Sequence, residues 1–183
     1  MKPACEHCPF ARDGGPHQQV KALGPTKPLG VLVGEAPSRD DYRDGEPLSP
    51  RSPTGREFDE LLKEAGLDRS DLLLINAIAC VPTEPRDDRQ LALAATCCRP
   101  LLADRLASLH PDVPVLALGS VAQFALDGKA KSIGRNRGFI DYDWTLTNAV
   151  NNPIREAQFN AVVQRKLGAE AAPGVDAGGS EPE

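Results

Sequence analysis

The sequence predicts an α/β fold, a three-layer α/β/α domain around a central, mainly parallel sheet. Three short apolar runs carry that expectation. Residues 29–33 run into the turn Gly34-Glu35-Ala36-Pro37, residues 71–78 contain Leu72, Leu73, Leu74 and Ile75 ahead of Asn76, and residues 113–118 end at Gly119-Ser120. Each is too short for an independent helix and is bounded by turn residues, as buried strands are. Segments of helical periodicity separate them, and strands alternating with helices imply a parallel sheet covered on both faces.

The helical segments follow from spacing. Phe58, Leu61, Leu62 and Ala65 fall at i, i+3, i+4 and i+7 and stop at Gly66. Residues 88–109 form a second apolar face through Leu91, Ala94, Cys98, Leu101, Leu102 and Leu106, and Ser120 is placed to cap a third helix containing Val121, Ala122, Phe124 and Ala125. Residues 139–148 alternate polar and apolar side chains as a further strand, and residues 151–167 read as a closing helix. No internal repeat is present. In sheets of this kind functional loops gather at the carboxyl ends of the strands, where Glu35 and Asn76 fall.

At 183 residues and 40% hydrophobic content, the chain supports one substantial domain, expected over residues 1–167 with a metal-binding segment at its amino terminus. Residues 168–183 carry Glu170, Asp176, Glu181 and Glu183, no basic residue and much Gly, Ala and Pro, and read as a disordered tail. Removing those four charges from the net −5 leaves −1 for the body, so the overall charge reflects the tail. No stretch approaches the ~20 apolar residues of a membrane span, and the first residues lack the apolar core of a signal peptide. A monomeric cytoplasmic protein with reduced thiols is expected.

Those thiols are the most specific local signal. Cys5 and Cys8 form Cys-x-x-Cys, while Cys80 and Cys98 bracket an arginine-containing loop. A close pair binds a metal centre from a tight turn, and two distant thiolates complete a four-sulfur shell. Cys97, beside Cys98, makes the count odd, which argues against a closed set of disulfides. Buried ordinary thiols and redox chemistry are the alternatives. The widely split second half leans toward a [4Fe-4S] cluster, with zinc as the other candidate.

Taken in order, Cys-x-x-Cys, Gly34-Glu35-Ala36-Pro37, Gly45-Glu46-Pro47, Gly55, Ala65-Gly66-Leu67, Asn76-Ala-Ile-Ala-Cys80, Cys98-Arg-Pro-Leu-Leu and Leu116-Ala-Leu-Gly119 resemble the iron–sulfur, family 4 branch of the uracil-DNA glycosylase superfamily. The resemblance covers roughly residues 5 to 138. It implies a structural cluster on Cys5, Cys8, Cys80 and Cys98, the last chosen over Cys97 because Arg-Pro and two apolar residues follow it. It also implies hydrolysis of the bond between a base, uracil or a related altered one, and its deoxyribose in single- or double-stranded DNA. Glu35 matches the acidic position that orients water or stabilises the cationic sugar. Asn76 matches the position that reads the base edge, and Gly34, Ala36, Pro37 and Leu48 match the surrounding pocket.

Two positions depart from the family pattern. Leu48 stands where Gly-x-Pro is usually followed by a stacking aromatic, and the segment 49–55 after it is expected to form a longer loop. Histidines occur only at 7, 17 and 110, so the family's carboxyl-terminal His-Pro is replaced by a segment in which Asn148 or Asn151 would donate to the leaving base. Arg135, Arg137 and Arg155 are the candidate phosphate contacts. A catalytically silent DNA- or base-binding relative, and a glycosylase for a non-uracil modified base, are the alternative readings.

Overall fold

The computed structural model describes residues 5–83, 87–127, 164–166 and 168. Three parallel strands, β1 (Gly30–Gly34), β2 (Leu72–Asn76) and β3 (Val115–Ala117), form a sheet in the order β2-β1-β3. Val31 pairs with Leu73 and Val115, and Gly34 pairs with Asn76, so β1 and β2 end level with each other. Among the described residues, helices α1 (Arg39–Asp44), α2 (Pro53–Glu64), α3 (Asp88–Ala107) and α4 (Gly119–Asp127) accompany them.

The strands alternate their side chains between two cores, which is why they read as unbroken apolar runs. Val31, Val33, Leu73, Ile75 and Ala117 join Leu91, Ala94, Ala95 and Leu102 of α3 and Val121, Ala122 and Ala125 of α4. Leu32, Leu72, Leu74 and Leu116 join Phe58 and Leu62 of α2, with Leu48, Leu67 and Leu118. Helices therefore cover both faces, and the α/β/α expectation is met.

Local chemistry shifts several boundaries. α2 starts at Pro53, five residues before the apolar periodicity, because Ser52 caps it by accepting from the Gly55 amide and Pro53 suits a first helical position. The second half of the expected long loop is thus helix. α1 has no apolar stripe and was not expected; a capping box between Ser38 and Asp41 starts it, and Gly45 in the left-handed region ends it. α4 begins at Gly119, so Ser120 lies inside its first turn and is not its cap.

Ahead of β1, the chain runs antiparallel along the outer side of β2. Leu23 and Leu74 exchange backbone hydrogen bonds of 2.9 and 2.7 Å, and the Val20 amide donates to Ala79 C=O at 2.8 Å. This run brings the amino-terminal Cys-x-x-Cys segment beside Cys80. Among the described residues no helix is long and apolar enough to cross a membrane. The expected strand at 139–148, most of the closing helix and the tail beyond 168 lie outside the described residues, whereas 164–166 are helical.

Candidate functional site

The carboxyl ends of β1 and β2 are held flush by two further hydrogen bonds. Ala77 N–H donates to Gly34 C=O at 2.8 Å and Ile78 N–H to Glu35 C=O at 2.9 Å. Across this junction the Asn76 carboxamide lies against Gly34, so close that a Cβ at position 34 would run into its Oδ1. Only glycine leaves room for it. Asn76 is 8% exposed, and its Nδ2 has no hydrogen-bond partner among the described residues. A buried amide donor without a partner costs about 1–3 kcal/mol, which singles Asn76 out from an ordinary loop asparagine.

Glu35, the residue after Gly34, is half-buried, Ala36 packs against the first core, and Pro37 is fully buried. The expected pocket segment therefore continues directly from the strand end into the Ser38 cap of α1. Leu48 is 9% exposed, its side chain belongs to the second core, and its backbone lies in the left-handed region at φ 55°. Asn148, Asn151, Arg135, Arg137 and Arg155 lie outside the described residues.

The cysteines meet elsewhere, at one cavity. Cys5 and Cys8 close a turn in which Cys8 N–H donates to Cys5 C=O at 3.1 Å; Cys80 follows β2, and Cys97 and Cys98 come from α3. All five are free thiols, and with Ala11, Pro16, Gln19, Ala79 and Leu101 they line one small cavity that opens partly to solvent. No three His, Cys, Asp or Glu side chains among the described residues stand close enough together to enclose a metal ion. The fold supplies convergence of soft donors in an apolar lining, the chemistry that suits iron–sulfur clusters and zinc.

The two adjacent cysteines differ in their surroundings. Burial pushes the Cys98 thiol up to about 11, against a backbone hydrogen bond from Ala79 that favours its thiolate; the neighbouring Cys8, Cys80 and Cys5 push it further up. Burial likewise raises Cys80, opposed by a backbone hydrogen bond from His17. Cys97 is raised by burial and by Cys8 and Cys5, and its side-chain hydrogen bond to Cys8 favours the protonated form. The hydrogen bonds at Cys80 and Cys98 favour the thiolate form that a ligating cysteine uses, whereas the one at Cys97 favours the thiol.

Sequence reasoning missed two further residues. Asp41 is a buried carboxylate, 5% exposed, that accepts from Ser38 N–H at 2.7 Å and Ser49 N–H at 2.6 Å. Arg69 reaches from a 3₁₀ turn to donate to Leu48 C=O at 2.5 Å. The Ser-x-x-Asp capping pattern was a signal for the first; nothing in the sequence pointed to the second.

Comparison with known proteins identifies relatives of the chain. The family model described as the uracil DNA glycosylase superfamily matches residues 22–165. A type-4 uracil-DNA glycosylase of Thermotoga maritima is 36% identical over 109 residues, covering 59% of this chain and 54% of that protein. One of Archaeoglobus fulgidus is 33% identical over 139 residues, covering 76% of this chain and 62% of that protein. The chain thus spans between about half and three fifths of the length of these relatives. With a family match across most of its length, the chain belongs to the uracil DNA glycosylase superfamily.

Proposed function

We propose that this chain is a DNA glycosylase that hydrolyses the N-glycosidic bond of uracil, or a related altered base, and leaves an abasic site for base-excision repair. The observation that carries the proposal is the buried, unpartnered Nδ2 of Asn76 against Gly34 at the level strand ends. A carboxamide both donates and accepts, so it matches a base edge that presents a carbonyl and an N–H. The target base must leave the stack, at a cost of a few kcal/mol, before its edge reaches such a group.

Bond cleavage places positive charge on the sugar and negative charge on the departing base. Glu35 orients the attacking water or stabilises the cationic sugar, and Asn76 holds the base while charge builds on it. Asn148 or Asn151 donates a neutral hydrogen bond to the leaving base, and Arg135, Arg137 and Arg155 hold phosphates of single- or double-stranded DNA. Cys5, Cys8, Cys80 and Cys98 hold a [4Fe-4S] cluster whose contribution is to fasten the loops. The wide split between Cys80 and Cys98 along the chain supports a cluster over a single zinc ion, and the hydrogen bonds that favour the thiolates of Cys80 and Cys98 support that choice of ligands. The body, residues 1–167, works as a cytoplasmic monomer, where five free thiols stay reduced.

Single-turnover cleavage of uracil-containing oligonucleotides by anaerobically purified protein tests this reading. Abasic-site formation is expected, with a rate about 100-fold lower or more in Glu35→Ala. An intact metal centre and DNA binding without cleavage would refute it in favour of a silent binder.

A further inference from the structure

Leu48 is a bulky residue held at φ 55°. The left-handed region costs a non-glycine residue about 1–2 kcal/mol, and such strain persists only where the surroundings over-determine it. The surroundings here are two charged side chains on one peptide group. The Leu48–Ser49 carbonyl accepts from Arg69 Nη2 at 2.5 Å, and the amide of the same peptide donates to Asp41 Oδ1 at 2.6 Å. A flip of that peptide would break both bonds at once.

Each grip is itself immobilised. The Arg69 guanidinium donates to Asp59 Oδ1 at 2.6 Å and to Gly55 C=O at 3.3 Å, and lies 5.3 Å from the centre of the Phe58 ring. Asp41 spends its second oxygen on Ser38 N–H at 2.7 Å, and Ser38 ends the segment that starts at Gly34 and Glu35. Gly55 completes the arrangement, because a Cβ there would collide with the carbonyls of Leu48 and Ser49. One carboxylate therefore ties the strand-end loop that carries Glu35 to the segment that carries Leu48.

Stability alone is a poor reason for this design. A buried carboxylate spent on backbone amides contributes little net stability, and apolar replacements often serve as well. The advantage of the charged grips is geometric: they fix a position to a fraction of an ångström. We propose that Asp41 and Arg69 are positioning residues, which grip the two ends of the Leu48–Ser49 peptide and thereby set the spacing between the Leu48–Ser49 segment and the Glu35 loop that meets the base. The inference rests on the glycosylase reading and deepens it, since Leu48 lacks the aromatic plane that would otherwise locate a base by stacking.

The test uses the full chain with its metal centre and compares wild type, Asp41→Asn and the milder Arg69→Lys. Asp41→Asn keeps the shape but presents an NH2 to one of two N–H donors; Arg69→Lys keeps the charge but loses the fork. Three quantities are read: the single-turnover rate constant on uracil DNA at saturating enzyme, the reaction amplitude, and affinity for the same oligonucleotide without uracil. A displacement near 1 Å in a reacting geometry lowers a rate by about 100-fold. The expected result is a rate constant lower by about 10- to 100-fold, with amplitude and affinity for uracil-free DNA within twofold of wild type. Reduced amplitude with an unchanged rate constant reports a loss of folded protein only, and would overturn the positioning role while leaving the glycosylase reading intact. Wild-type rates in both variants would overturn it equally. No cleavage by wild type would overturn the glycosylase reading and the positioning role together.

Discussion

Replacing Asn76 with alanine separates a structural asparagine from one that waits for a ligand. In the free protein the 8%-exposed carboxamide leaves Nδ2 without a partner among the described residues. Removing that donor relieves about 1–3 kcal/mol of desolvation cost, whereas the lost contacts and small void take back roughly 1 kcal/mol. The net change is between zero and about 2 kcal/mol in favour of the folded state. For a chain of this size each kcal/mol moves the melting temperature by roughly 2–4 °C, so Asn76→Ala should melt between unchanged and about 8 °C higher. Cleavage should move the other way, because two hydrogen bonds to the base edge at roughly 1.5–3 kcal/mol each correspond to at least about 100-fold in rate. Thermal melting and single-turnover cleavage on the same preparation make the comparison. A melting temperature several degrees below wild type with cleavage retained would refute the assignment and return Asn76 to a structural role.

Gly34→Ala should cost about 1–3 kcal/mol of stability and lower the cleavage rate, since the new Cβ meets Asn76 Oδ1; melting and rate measurements on the variant check both. Cys97→Ser should retain the metal and Cys98→Ser should lose it, read by metal content and visible absorbance after anaerobic purification; equal loss in both would reject the ligand choice. Acid stability should depend on Lys166. Burial pulls Asp71 upward, but the Lys166 hydrogen bond at 2.8 Å, a backbone bond within the Asp68 turn and the Lys166 charge outweigh it and hold the carboxyl below its ordinary value. A depressed folded-state value contributes stability that is present above the unfolded value near 3.9 and is lost as pH falls through the folded one. Lys166→Met should therefore lower the melting temperature more at pH 6 than at pH 2, and a pH-independent difference would reject the linkage.

The sheet was legible because parallel strands buried on both faces leave continuous apolar runs, and residues 31–33, 72–75 and 115–117 are such runs. Cys-x-x-Cys was legible as a short pattern of one residue type, and the structure brings its two thiols to one cavity with Cys80, Cys97 and Cys98. α1 was not, since its six residues hold no apolar stripe and form around a cap. The start of α2 falls inside the segment 49–55 expected as a loop, because proline at a first helical position belongs to the helix. The grip on the Leu48–Ser49 peptide was out of reach, because its partners stand 8 and 21 residues away and no periodicity links them. Sequence patterns report repeating burial; a single long-range contact to a backbone group leaves no pattern.

The location of the site can be reached without any relative. The buried polar or charged residues among those described are Asp41, Ser49, Ser52 and Asn76. Burying a polar side chain is unfavourable unless something compensates, so their distribution is informative. Asn76 lies against Gly34, the segment from Gly34 leads to Ser38, Ser38 is bonded to Asp41, Asp41 to Ser49, and the Ser52 hydroxyl donates to Ser49 C=O at 2.9 Å. They form one connected path running from the ends of β1 and β2 to the first turn of α2, and left-handed Leu48 sits on it. Three of the four have their polar atoms matched along that path, while Asn76 alone keeps an unmatched buried donor. Proteins break local rules where function requires it and satisfy them elsewhere. A rigid polar support ending in one unsatisfied amide is the arrangement expected of a pocket that obtains its last hydrogen bond from what it binds.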